Sequence, residues 1–296
     1  MKETAVQQNS LRAWFLAARP KTLSAALVPV VVAAALAWAE GGFRPVPVVL
    51  CLLFAALMQV AANFINDLLD FRKGTDREDR LGPERACAQG WVTPAAMQRA
   101  IAAVLVLACL AGCFLLFYGG WWLVLVGAAC VVFAFLYTTL LSYCGLGDVL
   151  VWLFFGFVPV LGTYYVQAGA LSPSAWWLAA ACGLVIDTLL VVNNYRDRDT
   201  DRATGKRTLI VALGEPFGRW FYFAQGVMGY VCAALSALDG HTWVALLPLF
   251  YVLPHFLTWR KMVQIRSGRA LNRTLGFTSR NILLFGFLVA VSLLLA

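Results

Sequence analysis

The sequence predicts an all-α, polytopic membrane protein with nine transmembrane helices, and three observations carry that prediction. Of the 296 residues, 61% are hydrophobic and 13% charged, with a mean hydropathy of +0.77. A soluble domain runs nearer half apolar and a quarter charged. Apolar runs long enough to cross roughly 30 Å of hydrocarbon recur along the whole chain. Finally, 22 of the 23 Lys and Arg residues fall on one side of the resulting topology.

The predicted spans, in order, are 23–39, 46–66, 99–118, 121–141, 148–168, 175–195, 219–237, 242–259 and 280–296. The first is short and interrupted by Pro29, so its ends are soft. With the N-terminus in the cytoplasm, five segments share the cytoplasmic side: the N-terminal one, 67–98, 142–147 (which has no Lys or Arg), 196–218 and 260–279. They and the span ends beside them take every basic residue except Arg44. That is the asymmetry of the positive-inside rule, and a miscounted span near the middle would interchange the sides. No short signal peptide is expected ahead of the first run.

Composition also excludes classes. The net charge of +8 serves topology, and no basic patch interleaved with exposed aromatics suggests nucleic-acid binding. Six of the eight cysteines lie inside apolar runs, where they read as small packing residues, so no disulfides are expected.

Two aspartate-rich stripes stand out against this background. In NFINDLLDFRKGTDREDRLGPER (63–85), Asn63, Asp67 and Asp70 fall at i, i+4 and i+7, with Asp76 and Asp79 following. In NNYRDRDTDRATGKRT (193–208), Asn193, Asp197 and Asp201 fall at i, i+4 and i+8. Each set lies near one helix face. Both emerge at the cytoplasmic ends of even-numbered spans, so they can face each other across a bundle.

A charged segment past a transmembrane helix is usually a solvated, topology-setting loop. Basic residues alone would serve that purpose; carboxylates with Asn on the same face would not. Converging carboxylates need cations, and oxygen-only ligands select a hard ion such as Mg²⁺, which tends to bridge carboxylates to a substrate's phosphates. The metal candidates are thus Asn63, Asp67, Asp70, Asp76, Asn193, Asp197 and Asp201. Arg72, Lys73, Arg80, Arg85, Lys206 and Arg207 supply phosphate contacts. A diphosphate held at the mouth of a membrane bundle is best carried by a lipid, its tail running down among the helices. Aromatic residues such as Trp152, Phe154 and Tyr164 are available as walls.

NDLLDFRKGTD and NNYRDRDTDRATGKRTL resemble the paired motifs of the UbiA superfamily of intramembrane prenyltransferases. ARPKTLSAALVPV (18–30), GLGDVLVWLFFG (145–156) and LNRTLGFTSR (271–280) are most similar to the branch acting on 1,4-dihydroxy-2-naphthoate in menaquinone synthesis. The resemblance spans nearly the whole chain and implies one domain, 1–296. It also implies a central cavity with a polar cytoplasmic cap, in a bacterial inner (cytoplasmic) membrane. The implied reaction is Mg²⁺-dependent ionisation of an allylic polyprenyl diphosphate and its capture by an aromatic acceptor with loss of CO₂.

On this resemblance Asn63, Asp67, Asp70 and Asp76 match the first motif, and Asn193, Asp197 and Asp201 the second. Lys206 and Arg207 match its basic pair, and Lys21 a basic position facing the site. Asp148 stands where the branch carries a longer Glu. Asp148 or an aspartate of the first motif is the candidate base, and Tyr137 the candidate for orienting the acceptor. Asp187, inside the sixth span, has two open readings: an acceptor contact, or a buried acid against a neighbouring helix. Other acceptors (4-hydroxybenzoate, homogentisate, a porphyrin) and a non-enzymatic transporter remain alternatives. The CDP-alcohol phosphotransferases also place aspartates at membrane helix ends, but in one continuous segment.

Overall fold

The computed structural model describes residues 6–74 and 80–296, and among these there are helices and connecting loops but no strand. The chain opens with a short helix, α1 (Leu11–Ala18), whose N-cap Ser10 accepts from the Ala13 N–H. It leaves Leu11 and Phe15 exposed. Arg19, in the left-handed region, turns it into α2 (Pro20–Ala39). Then follow α3 (Pro45–Lys73), α4 (Pro94–Gly119) and α5 (Leu123–Thr139). The short α6 (Gly147–Val151) continues through a π-helical turn, Trp152–Phe157, into α7 (Val158–Ala168). The rest comprises α8 (Pro173–Ala203), α9 (Leu209–Leu213), α10 (Glu215–Ala234), α11 (Trp243–Leu246), α12 (Leu249–Ile265) and α13 (Leu271–Leu294).

Local chemistry explains many of the boundaries. Pro occupies the first helical turn of α3, α4 and α8, where its missing N–H costs nothing. Thr93, Ser172 and Thr208 cap helix starts through their hydroxyls. Gly74 and Gly169 end α3 and α7 with positive φ, a backbone that side-chain-bearing residues avoid.

Among the described residues, seven helices are long and apolar enough to cross a membrane: α2, α3, α4, the continuous α6–α7 rod, α8, α10 and α13. The predicted runs at 121–141 and 242–259 instead fold as shorter pieces, α5 with 17 residues and α11 followed by the 17-residue α12. The last predicted span, 280–296, begins nine residues earlier, at Leu271. Asn272, Arg273 and Thr274 hid that turn from hydropathy, yet its backbone still closes helical hydrogen bonds.

Lipid tails are as apolar as Leu, so helices here associate through close packing rather than expulsion of water. Small residues make that possible. A Cβ on Gly156 would fall 2.6 Å from the Ala179 carbonyl and 2.7 Å from the Gly183 Cα. The π-helical turn therefore lies directly on α8. One on Gly286 of α13 would meet a Val28 methyl of α2 at 2.5 Å. α8 is the central helix, 67% of its apolar window being buried, whereas α4, at 22%, faces outward.

At 1.5 Å per residue, the 29 residues of α3 and 31 of α8 extend about 43 and 46 Å. Both overrun a hydrocarbon layer of about 30 Å. Their C-terminal ends project together on the basic side, carrying the two aspartate stripes.

A candidate active site at the capped end of the bundle

The loop from Arg80 to Trp91 folds over this end and is fastened at four points. Arg85 Nη2 donates to Asp70 Oδ2 at 2.8 Å. The backbone N–H groups of Ala86 and Cys87 donate to the two carboxylate oxygens of Asp67 at 2.9 and 2.8 Å. Asn272 Nδ2 donates to the Leu81 carbonyl at 2.9 Å. Arg196 donates from Nη1 to Asn272 Oδ1 at 2.8 Å and forks onto Asp197 at 2.6 and 2.7 Å. Gly82 fits against that guanidinium: a Cβ would lie 2.8 Å from Arg196 Nη2. A cleft of about 600 Å³ beside this loop is lined by Arg19, Arg80, Arg85 and Arg269, with Glu84 and Gln89.

Asp70 of one stripe and Asp201 of the other lie within electrostatic reach of the same two groups, Lys206 and Tyr143. Lys206 Nζ lies 3.6 Å from Asp201 Oδ1, and the same ammonium acts on Asp70, together with Arg80, Arg19 and Lys73. Burial, and after it the charges of Asp70 and Asp201, push the Tyr143 phenol above its ordinary value. That places both acids near one tyrosine. Asp201 Oδ2 is buried and has no hydrogen-bond partner among the described residues. Asp197 acts on Asp201 in turn, and Asn193 is half-buried on the same helix.

Two first-stripe residues are hydrogen-bonded within the chain. Asp67 is 1% exposed and spends both oxygens on the capping loop, with Arg19 3.9 Å away. Asn63 turns its amide to the Ala18 carbonyl and the Thr22 hydroxyl. On a helix Asp67 and Asp70 are about 60° apart, enough to send one toward α1 and the loop and the other toward α8. In this structure, then, the amide of Asn63 and both carboxylate oxygens of Asp67 are engaged by groups of the chain itself. Asn66, passed over in the sequence, shares the inward flank with Asp70 and accepts a hydrogen bond from Thr138. The i, i+4 spacing of Asn66 and Asp70 was the available signal.

The remaining candidates divide. Lys73 reaches the Thr138 and Thr139 carbonyls and lies 4.6 Å over the Tyr143 ring. Arg80 donates to the Pro83 carbonyl. Lys21, Arg72 and Arg207 are exposed at the same end. Asp76 lies outside the described residues. Asp148 is buried on the first turn of α6; Tyr137 lies in the field of Asp148, Asp187, Asp70 and Asp201.

The donor set suits a hard divalent cation: oxygen only, on two converging helix ends, with one carboxylate oxygen buried and unpartnered. As it stands, Asp70, Asp197 and Asp201 are each matched to a cation of the chain. Among the described residues no three Asp, Glu, His or Cys side chains form a ready cage. Such an arrangement is suited to a cation that arrives with an anion, and to a phosphate that takes over the guanidinium and ammonium partners.

Fold and site together define a polytopic helical membrane protein with acidic and basic side chains gathered at one rim of its bundle. The chain belongs to the UbiA prenyltransferase family, whose model matches residues 26–293. It is 38% identical over 247 residues to the 1,4-dihydroxy-2-naphthoate octaprenyltransferase of Escherichia coli K12, covering 79% of each chain. It is 35% identical to the protein of that name from Haemophilus influenzae, covering 75% of this chain and 76% of that one. Its fold is that of a UbiA homolog from Aeropyrum pernix, with a TM-score of 0.72 at 16% identity over 94% of this chain and 98% of the other. A UbiA homolog from Archaeoglobus fulgidus, solved with DMAPP and Mg²⁺, gives 0.66 at 14% identity over 94% and 99%.

Proposed function

We propose that this chain, as a single domain over 1–296, transfers a polyprenyl group from an allylic polyprenyl diphosphate to 1,4-dihydroxy-2-naphthoate. CO₂ is lost and the prenylated naphthoquinol, the reduced form of demethylmenaquinone, is formed. One observation carries the reading: Asp70 and Asp201, some 130 residues apart, answer to one Lys206 ammonium beneath a loop that supplies Arg85. The names of the relatives at 35–38% identity support the acceptor.

Asp70, Asp197 and Asp201 would hold Mg²⁺, with Asn193 and Asp76 completing the set. When bound, the divalent cation neutralises charge on the departing diphosphate. Arg85, Lys206, Lys73 and Arg80 hold the phosphate oxygens, with Lys21, Arg72 and Arg207 at the rim. They stabilise the charge that develops as the carbon–oxygen bond breaks. The capping loop keeps water from the prenyl cation, which would otherwise be hydrolysed. Asp148 takes a proton from a ring hydroxyl, activating the ring carbon that attacks, and Tyr137 orients the ring. By the distribution of Lys and Arg, the site faces the cytoplasm across a bacterial inner membrane.

Purified protein in lipid nanodiscs, given farnesyl diphosphate, Mg²⁺ and each of several aromatic acceptors, tests this directly. Prenylated, decarboxylated naphthoquinol in the mass spectrum is expected. Prenylation of 4-hydroxybenzoate or homogentisate but not of dihydroxynaphthoate would refute the acceptor assignment.

A further inference from the structure

Deeper in the bundle, away from the acidic rim, three polar side chains meet where packing needs only apolar ones. Gln225 of α10 donates from Nε2 to Oδ2 of Asp187 on α8 at 2.5 Å. Asp187 is 0% and Gln225 2% exposed. Trp152, from the π-helical turn, lies toward the same carboxylate without reaching hydrogen-bond geometry. Asp187 Oδ1, Gln225 Oε1 and Trp152 Nε1 are all buried, and each is without a hydrogen-bond partner among the described residues. Native interiors rarely leave one such group unpaired, let alone three together.

The backbone is built to hold this cluster. Single π-helical turns inside α-helices recur at functional sites. Here the turn is pressed onto α8 at Gly156 and Gly183, and a Cβ on Gly183 would sit 3.1 Å from the Trp152 Cα. Trp152 also falls four residues after Asp148, on the same helical face. Asp187 acts electrostatically on Asp148 and Tyr137 alike. The cluster thus opens toward the groups assigned to the acceptor ring.

Depth decides between donor and acceptor. Six residues separate Asp187 from Asn193, the first residue of the second stripe, about 9 Å of helix. That leaves room for one ring and the reacting carbon below the diphosphate level. A prenyl tail brings no hydrogen-bonding group to such a place. A phenolic hydroxyl brings one donor and two acceptor positions, the complement of two orphaned oxygens and one orphaned N–H.

Building on the prenyl-transfer reading above, we propose that Asp187, Gln225 and Trp152 seat a ring hydroxyl of the aromatic acceptor and determine which acceptor is used. A site that hydrogen-bonds a substrate hydroxyl penalises analogues lacking it far more than an apolar pocket can.

The test compares wild-type chain with Trp152→Phe, Gln225→Leu and Asp187→Asn in nanodiscs, using farnesyl diphosphate with either 1,4-dihydroxy-2-naphthoate or 1-hydroxy-2-naphthoate. In Trp152→Phe and Gln225→Leu, KM for the dihydroxy acceptor rises about tenfold or more, as for a lost buried hydrogen bond. KM for farnesyl diphosphate stays within about twofold. The wild-type preference for the dihydroxy ring shrinks in each variant. Equilibrium binding of labelled dihydroxynaphthoate is measured in parallel and needs no turnover. Wild-type protein that binds the ring without prenylating it overturns the functional reading and leaves the seat standing. Folded variants that bind the ring as tightly as wild type, with the same preference, overturn the seat.

Discussion

Arg85 Nη2 and Asp70 Oδ2 lie 2.8 Å apart, the guanidinium from the capping loop and the carboxylate from the end of α3, with only 8% and 19% of their side chains exposed. A pair this desolvated gains little net stability, so its value lies in what can replace it. On the function proposed above, a diphosphate and its cation at the rim would draw Arg85 to phosphate oxygens and free Asp70 for the cation. Replacing Arg85 with Ala is expected to lower kcat/KM for the prenyl diphosphate by about 10²–10³, the usual cost of removing a donor at a developing anion. Arg85→Lys falls between, keeping charge without the fork. Steady-state kinetics with varied farnesyl diphosphate reads this; an unchanged kcat/KM in Arg85→Ala would confine the arginine to a structural role.

Asp67 and Asp70 are expected to separate structure from chemistry within one helical turn. Asp67→Ala orphans the backbone N–H groups of Ala86 and Cys87. It is expected to destabilise the fold by about 2–6 kcal/mol, at 1–3 kcal/mol per buried group. The molecules that remain folded keep their Mg²⁺ dependence. Asp70→Asn and Asp201→Asn do the opposite: near-normal unfolding temperatures, turnover reduced by more than about a thousandfold, and a Mg²⁺ titration shifted at least tenfold upward. Chelating the metal from wild-type protein should abolish turnover reversibly. A Mg²⁺ titration displaced by Asp67→Ala and untouched by Asp201→Asn would reverse the two assignments.

The sequence made the α class, seven of the nine expected spans and the existence of the paired acidic ends legible, because hydropathy and a 3.6-residue repeat are properties of single segments. It could not say which side of a roughly 60° arc on α3 turns toward α8. That depends on α1 and the capping loop, whose Ala18 carbonyl and Ala86–Cys87 amides claim Asn63 and Asp67. Gln225 went unremarked for a related reason. A lone Gln in an apolar helix acquires meaning only when another helix brings Asp187 to it. The early start of α13 was hidden because a helix end outside hydrocarbon needs no apolar residues.

Gly286 shows how tightly α2 and α13 approach. An added Cβ would lie 2.5 Å from one Val28 methyl and 3.1 Å from the other. Gly286→Ala is therefore expected to destabilise by about 1–3 kcal/mol, as overpacking does. Val28→Ala in the same chain should restore part of the loss, because the two positions touch and their effects couple. Thermal unfolding in detergent of both single variants and the double gives the coupling directly; strict additivity would show that the helices part rather than pack.

At the opposite end of the bundle, Glu40 joins three elements after the last turn of α2. It accepts from the Tyr164 hydroxyl of α7 and lies 3.2 Å from His241 Nε2 in the loop before α11. Burial pushes the carboxyl up, but hydrogen bonds with His241, Tyr164 and Ser172 together outweigh it and hold Glu40 below its ordinary value of 4.5. A depressed carboxyl favours the folded state when ionised. Its contribution is complete above the unfolded value and fades as pH falls through the folded one. Glu40→Gln should therefore unfold at a lower temperature than wild type at pH 7, and the gap should close progressively on acidification below about 4.5, the ordinary value. A gap that is constant between pH 7 and pH 3 would mean that the carboxylate's charge contributes nothing. The site's kinetics at pH 7 should be unaffected, since the latch and the acidic rim lie at opposite ends of the helices.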